Sequence, residues 1–168
     1  MPNHTDNRVT LYHKDSQQID MIYNIMNTPD TPLCQTLIPM PKELEGTAGF
    51  DENGVAGWYK WRLDNWGTKW DVYDAQCDYF DANTLRLYFD TAWSPPMRIY
   101  EKLTDMGFEV TARYLDEGWG YIGEYTDGDD WCTTDVESVV EDYPELDDEF
   151  GISEYIAEHA EENEDAVA

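Results

Sequence analysis

The pattern of apolar and polar positions divides the first part of the chain into short alternating and helical runs. Asn7 to Tyr12 alternates between polar and apolar side chains and predicts an opening strand. The next apolar residues recur at helical spacing and predict a helix that prolines end: Ile19, Ile22, Tyr23 and Met26, then Pro29 and Pro32. Leu33 to Ile38 predicts a second strand, and the glycines within residues 42–57 predict a surface loop.

Aromatic residues dominate the segment from Trp58 to Trp70, and helical spacing places Trp58 and Trp61 on one face. Two hairpins and a helix are expected after it. The first hairpin joins Val72–Phe80 to Thr84–Thr91 through Asp81-Ala-Asn83, and the second joins Phe108–Leu115 to Trp119–Tyr125 through Asp116-Glu-Gly118. Between them a helix is expected to start at Ser94-Pro95, carry an apolar stripe and end at Gly107, the stripe being Ile99, Leu103 and Met106.

This order of elements predicts an α+β fold, with an antiparallel sheet and helices packed on one face. Its two halves suggest a ferredoxin-like arrangement, and the length of 168 residues suits one domain. We expect a ferredoxin-like domain at residues 1–128, with an inserted Trp-rich segment at 42–70. An acidic helical extension, residues 129–168, is expected to dock on that domain.

The C-terminal segment combines helical periodicity with many acids. Thr134 and Glu137 have the spacing of a capping box, which predicts a short helix to about Asp142. Ser153 is expected to cap another helix with one largely apolar face, formed by Ile152, Tyr155, Ile156 and His159. Acidic side chains lie mainly on the opposite face, so we expect this helix to dock through its apolar side and expose its carboxylates.

Net charge is the property in which the chain departs most from an average protein. It has 37 Asp and Glu against 10 Lys and Arg, a formal net charge of −27. Residues 127–168 hold 17 of these acids and none of the basic residues. Self-repulsion of this size destabilises a compact chain, so the charge needs an explanation. Three are available: solubility in high salt, a disordered acidic tail, and a surface that attracts cations or a basic protein. The uneven distribution argues against salt adaptation, although a halophilic source stays open.

The remaining composition indicates a folded protein in a reducing compartment. Seven Trp, 12 Tyr and five Phe are too many for a disordered acidic chain. No apolar run approaches the roughly 20 residues that a membrane span needs, and the N-terminus lacks the pattern of a signal peptide. Cys34, Cys77 and Cys132 are far apart and are expected to be free thiols. We therefore expect a cytoplasmic location and no membrane association.

Four stretches carry a resemblance to a known family. They are the run Gly57-Trp-Tyr-Lys-Trp-Arg-Leu-Asp-Asn-Trp-Gly-Thr-Lys-Trp-Asp71, and Leu37–Leu44, Phe89–Pro96 and Gly118–Tyr125. Together they resemble the Api92-like or YubB-like proteins of phages and plasmids, over residues 5–128. The resemblance implies a ferredoxin-like core, a mobile-element origin, the host cytoplasm as location and a role against host defence. It supplies no catalytic residues, and it does not reach the segment beyond Asp129.

The residues that could form catalytic or metal-binding motifs are explained better by structural roles. His4, His13 and His159 are scattered, so we expect no enzyme and no cofactor. Gly118-Trp-Gly-Tyr-Ile-Gly123 has the spacing of a dinucleotide motif, but it joins two predicted strands, and we interpret its glycines as turn and strand residues. Asp127-Gly-Asp-Asp130 lacks the spacing of a calcium loop, so we interpret it as a solvated turn and expect no metal.

The Trp-rich segment also offers a nucleic-acid interpretation. Its rings could stack on bases while Lys60, Arg62 and Lys69 contact phosphates. Core packing is the favoured explanation, with the basic side chains paired to acids such as Asp64 and Asp71. A protein of charge −27 repels a polyanion over long range, so direct nucleic-acid binding is not expected.

These observations lead to one functional hypothesis and one main alternative, with an unrecognised enzyme as a further one. The hypothesis is an acidic inhibitor that occupies the nucleic-acid-binding surface of a positively charged host protein, such as a CRISPR effector, a restriction enzyme or another nuclease. The alternative is a non-catalytic regulatory or adaptor module that binds a peptide or small molecule through its sheet; a homodimer stays open. The hypothesis assigns partner binding to Asp127, Asp129, Asp130, Glu137, Glu141, Asp142, Glu145, Asp147, Asp148, Glu149, Glu154, Glu158, Glu161 and Glu162.

Overall fold

Six antiparallel strands form one sheet in the computed structural model, which describes residues 3–48 and 57–167, with side chains described as far as residue 160. The order across the sheet is β2-β3-β1-β4-β5-β6. The strands are β1 (His4–Tyr12), β2 (Tyr73–Asp81), β3 (Thr84–Ala92), β4 (Glu109–Asp116), β5 (Ile122–Thr126) and β6 (Asp129–Thr133).

Helices lie on both faces of this sheet. The α-helices are α1 (Ser16–Asn27), α2 (Leu33–Leu37), α3 (Trp58–Asn65), α4 (Met97–Asp105), α5 (Val139–Asp142), α6 (Pro144–Phe150) and α7 (Ile152–Val167). Short 3-10 helices occupy Lys42–Leu44 and Val136–Ser138. In the part of the chain that the structure describes, no helix is both long and apolar enough to cross a bilayer.

The first four strands have the ferredoxin-like order. In sequence they follow the scheme β-α-β-β-α-β, with α1 and α4 as the two connecting helices. In the sheet they lie in the order β2-β3-β1-β4, and β5 and β6 extend this sheet beyond β4. The α+β class and the ferredoxin-like antiparallel sheet predicted from the sequence are confirmed.

The main hydrophobic core fills the face of the sheet that carries α1 and α4. Alternate residues of β1 point into it, among them Val9 and Leu11, because successive strand side chains face opposite sides. The facing helices contribute Ile22 and Leu103, which are buried. Full burial of each such side chain contributes roughly 1.5–3 kcal/mol to stability.

A second hydrophobic cluster lies on the opposite face, at the β4–β5 end of the sheet. Leu115 and Ile122 are directly opposite each other in the ladder and point to this side. The C-terminal segment covers them with buried side chains from successive helical turns: Val136, Val139, Leu146 and Ile152. The acidic extension is therefore packed against the sheet by its own apolar residues.

Stacked aromatic rings add to this packing at two points. Trp119, in the β4–β5 turn, stacks on Tyr155 of α7 with ring centroids 4.1 Å apart. Trp131 of β6 stacks on Tyr143, also at 4.1 Å. Such pairs contribute about 0.5–1.5 kcal/mol beyond the area they bury, so they reinforce the docking of the extension.

Most local elements agree with the expectations from the sequence. The opening strand, α1, the helical start of the Trp-rich segment, α4 and the two hairpins are all present. The turn at Asp81-Ala-Asn83 has the Asp81 carboxylate accepting from the Asn83 backbone N–H at 2.8 Å. Residues 49–56, the middle of the predicted surface loop, lie outside the described residues.

The predicted strand at Leu33–Ile38 is wrong, because this segment forms α2. The carboxylate of Asp71 accepts hydrogen bonds from the backbone N–H groups of Cys34 and Gln35, at 2.9 and 2.8 Å. Helix N-termini leave such N–H groups without partners, and a carboxylate there stabilises the helix. The stabilising residue lies far along the chain, so local periodicity could not indicate it.

The predicted caps of the C-terminal helices are also wrong. The residue preceding the 3-10 turn is Asp135, not Thr134, and it makes no side-chain cap hydrogen bond. Ser153 lies inside α7, and its N–H donates to the carboxylate of Asp147 at 2.6 Å. Gly151 separates α6 from α7 in the left-handed conformation (φ 65°) that glycine adopts at little cost.

The packing of the extension predicts unequal effects for two isoleucines of α7. Ile152 is fully buried and Ile156 only partly. Ile152→Ala is expected to lower the free energy of unfolding by about 3 kcal/mol, because it leaves a cavity in the second cluster, and the control Ile156→Ala by about half as much or less. Urea denaturation measures both. No loss of stability for Ile152→Ala would contradict docking of the extension through this cluster.

Candidate partner-binding surface

The C-terminal helices enclose a groove, which we call the acidic groove. It lies between the segment 135–142 and α7, and its volume is about 600 Å³. Apolar side chains form part of its wall, namely Val140, Ile156 and Ala157. Carboxylates of the same segment surround these residues and face solvent: Asp135, Glu137, Glu141 and Asp142.

This arrangement follows from the sequence of these helices, which have one apolar side that packs on the sheet and one acidic side that faces solvent. Val139 and Ile152 point to the sheet and are fully buried. Positions on the other sides of the same short helices then face outward, and in this segment they are mostly acidic. No Lys or Arg lies among the residues that line the groove, so none of these residues neutralises its carboxylates.

The carboxylates assigned to partner binding divide into two groups in the structure. The larger group is exposed and has no hydrogen bond or ion pair within the described residues: Asp129, Glu137, Glu141, Asp142, Glu145, Asp148, Glu154 and Glu158. The second group makes internal contacts and comprises Asp127, Asp130, Asp147 and Glu149. The side chains of Glu161 and Glu162 lie outside the described residues.

Asp127 and Asp130 hold backbone and core groups near the β5–β6 turn. Asp127 accepts a hydrogen bond from the backbone N–H of Val110 at 2.6 Å. Asp130 accepts from the hydroxyl of Tyr114, also at 2.6 Å. Burial and this hydrogen-bonded carboxylate raise the pKa of Tyr114 well above its usual value. Both aspartates are therefore placed to stabilise the fold, which their position in an acidic run did not reveal.

Glu149 connects the extension to the sheet. Its carboxylate lies 3.6 Å from a guanidinium nitrogen of Arg8 and 3.6 Å from one of Arg113. Arg8 also donates to the backbone carbonyl of Glu149 and covers the Phe150 ring at 4.6 Å. Burial lowers the pKa of Arg8, but the hydrogen bond and charge of Asp6, together with Glu149, outweigh it and leave that pKa raised.

The Trp-rich segment has mainly packing contacts. Trp66 is buried, and its indole N–H donates to the carbonyl of Ile38 at 2.8 Å. Arg62 lies over the Trp58 and Trp66 rings, 4.9 Å from each centroid. Lys60 pairs with Asp64 as expected, whereas Asp71 caps α2. These contacts support the core-packing interpretation of the segment.

The glycine motif and the acidic turn also have structural roles. Gly118 and Gly120 lie in the turn between β4 and β5, and Gly123 lies within β5, as the turn interpretation required. A Cβ at Gly123 would come within 2.4 Å of the Trp131 carbonyl oxygen. Asp127 and Gly128 form the β5–β6 turn. Across residues 3–48 and 57–160, no group of three or more acidic, His or Cys side chains is arranged to hold a metal ion.

The fold and the exposed carboxylates define a ferredoxin-like α+β protein with an acidic helical surface. Residues 65–165 match the family model described as the ferredoxin-like domain in Api92-like protein. The chain therefore belongs to the Api92-like family, as the resemblance suggested. The match includes nearly all of the acidic extension, which the sequence resemblance did not reach.

One solved structure similar to this chain is the crystal structure of Api92 from Yersinia pseudotuberculosis. The two are 11% identical, with a TM-score of 0.54, and the alignment covers 77% of this chain and 96% of that one. At this identity the similarity supports the fold alone. No curated protein matches the chain.

The bridge formed by Glu149 predicts that substitutions of two neighbouring acids change the stability of the protein by different amounts. Glu149→Gln is expected to lower the free energy of unfolding by about 1 kcal/mol, since partly exposed ion pairs contribute modestly. Asp148→Asn removes the same charge from an exposed side chain and serves as the control, with little loss or a small gain. Urea denaturation at low and high salt measures both. A loss for Glu149→Gln no larger than the control's would show that the bridge does not hold the extension.

Proposed function

We propose that this protein binds a positively charged partner protein through the exposed carboxylates of its C-terminal helices. The observation that carries the proposal is the acidic groove, in which apolar side chains lie between solvent-facing carboxylates. Lys and Arg side chains have aliphatic stems that pack on apolar surfaces while their charged ends reach solvent or a counter-ion. A Lys- and Arg-rich helix or loop would place its aliphatic stems on the apolar wall of the groove and its charged ends beside the carboxylates.

Charge supports the proposal beyond the groove itself. The exposed carboxylates lie on β6, the 3-10 helix Val136–Ser138, α5, α6 and α7, and these helices contact one another. A surface of one sign of charge accelerates encounter with a surface of the opposite sign and disfavours other partners. Packing of these helices on the sheet also reduces the entropy that a flexible tail would lose on binding.

The class of partner we propose is a nucleic-acid-binding protein of host defence, such as a CRISPR effector, a restriction enzyme or another nuclease. A channel that binds phosphates through Lys and Arg offers the cations that carboxylates on a rigid surface would pair with. The chain would then act as a nucleic-acid mimic. The resemblance to proteins of phages and plasmids favours a defence protein as the target.

The proposal predicts that protection against a defence system depends on the acidic groove. We would express the chain in bacterial strains that each carry one restriction or CRISPR system, and measure how efficiently a restricted phage forms plaques. The wild-type chain should restore plaque formation in at least one strain. The triple variant Glu137→Gln, Glu141→Gln, Asp142→Asn should restore it less, because losing these contacts weakens binding by about tenfold.

A matched variant controls for net charge. Glu43, Glu45 and Asp105 are exposed acids elsewhere on the molecule, and their replacement by Gln, Gln and Asn changes the charge equally. This variant should protect as the wild type does. If neither variant loses protection, or if the wild type protects in none of the strains, the proposed function is wrong.

A further inference from the structure

A second concave site lies on the sheet face that carries the extension, outside the acidic groove. It is a pocket of about 380 Å³, and we call it the arginine pocket. Three of the five arginines of the chain line it, Arg8, Arg86 and Arg113, although the protein is strongly acidic. Such a concentration of cations needs a physical explanation.

The register of the three central strands brings these side chains together in two rows. In one row Arg8 of β1 lies directly opposite Tyr88 of β3 and Arg113 of β4. In the next row Thr10 of β1 lies directly opposite Arg86 and Thr111. Directly opposite residues have Cβ atoms about 4.5–5.5 Å apart. The short side chains of Thr10 and Thr111, beside the longer ones of the three arginines, leave the space that forms the pocket.

The arginines are unequally neutralised. Like charges directly opposite each other destabilise a strand pair, and here Glu149 lies between Arg8 and Arg113 at 3.6 Å from each. That separation exceeds the usual hydrogen-bonding distance, so these two ion pairs are long, although Arg8 also donates to the backbone carbonyl of Glu149. Asp6 and Glu124 make shorter pairs with Arg8 and Arg113, at 3.1 and 2.8 Å.

Arg86 differs from the other two arginines in its contacts, although Asp78 of β2 lies directly opposite it in the ladder. Among the described residues, no carboxylate oxygen lies within 4.0 Å of its guanidinium group, which instead covers the Phe80 ring at 4.1 Å. The hydroxyls of Thr10 and Thr111 make no hydrogen bond to any residue that the structure describes. The pocket therefore presents donors for an anion beside Glu149.

We propose that the arginine pocket binds a small phosphorylated molecule of nucleotide size. Arg86, Thr10 and Thr111 would donate hydrogen bonds to phosphate oxygens, and Arg8 and Arg113 would complete the site as Glu149 moves aside. Guanidinium groups match phosphate oxygens in pairs of hydrogen bonds. The exposed side of Tyr88 offers a surface for a ring, and the volume lies within the usual range for small-molecule sites.

A small anion fits this site better than a nucleic-acid strand. A strand would bring many phosphates near the carboxylates of the C-terminal helices. A single small anion would meet chiefly the carboxylates that already pair with Arg8 and Arg113, because charges more than about 8 Å away are largely screened at physiological salt. The proposal does not rest on the proposed function, since it concerns a different surface and other residues.

The test measures binding of ADP, without divalent metal, by titration calorimetry, and locates it by NMR shifts of the pocket residues. ADP is expected to bind, pyrophosphate to bind more weakly at the same residues, and adenosine not to bind. Arg86→Gln should weaken ADP binding at least about tenfold, the usual effect of losing a charge-assisted hydrogen bond. Its matched control is Arg98→Gln, which removes the same charge from exposed α4 and should leave the affinity unchanged.

Several outcomes would overturn the proposal. They are the lack of ADP binding at millimolar concentration, equal effects of Arg86→Gln and Arg98→Gln, and adenosine binding as tightly as ADP. Tighter binding of an oligothymidine strand at the same residues would assign the pocket to single-stranded nucleic acid instead. A thermal melt checks that both variants stay folded, and the shifts in the wild-type protein locate the site without any substitution.

The Glu149 carboxylate provides a second test of the same proposal. Glu149→Gln should bind ADP several-fold more tightly than the wild type, because the internal competitor for Arg8 and Arg113 loses its charge. Asp148→Asn, with the same change in net charge, should have at most a small effect. Weaker binding by Glu149→Gln would show that Glu149 does not compete with the ligand.

Discussion

Burial of the apolar side of the C-terminal helices against Leu115 and Ile122 is the interaction on which the rest of this structure depends. It holds these helices in place, although residues 127–168 contain 17 acids and no Lys or Arg. Each fully buried aliphatic side chain contributes about 1.5–3 kcal/mol, whereas two exposed carboxylates roughly 6 Å apart repel each other by about 0.7 kcal/mol in water, before salt screening. Apolar packing therefore outweighs the repulsion of neighbouring acids, and the helices that carry the carboxylates stay packed on the sheet.

The same constraint explains why the acids of the extension have different roles. Residues that face the sheet must be apolar or paired, and Glu149 meets this condition through Arg8 and Arg113. Asp130 and Asp147 satisfy a buried hydroxyl and a helix N-terminus. Only the remaining outward positions are free to present charge. The acidic surface is thus the side of the C-terminal helices that does not contact the sheet. The arginine pocket lies where α6 meets the sheet, since Glu149 of α6 lines it together with residues of β1, β3 and β4.

Local patterns predicted most of the fold, and long-range contacts account for the failures. Alternation in β1, the periodicity of α1 and α4, and the turn at Asp81-Ala-Asn83 were visible in the sequence. The helix at Leu33–Leu37 depends on Asp71, and the start of α7 depends on Asp147. Local periodicity therefore predicted neither feature. The arginine pocket was missed for a related reason. Arg8, Arg86 and Arg113 occupy outward positions of three strands that are not all consecutive, and only the register places them together.

The central claim is that the acidic helices are part of the folded structure and not a mobile tail. Hydrogen–deuterium exchange of the backbone amides measures this directly, since amides in stably packed helices exchange slowly. The amides of residues 139–156 are expected to exchange at rates comparable to those of β5, on which the helices pack. Exchange of this segment at the rate of an unstructured peptide, while β5 stays protected, would contradict the account.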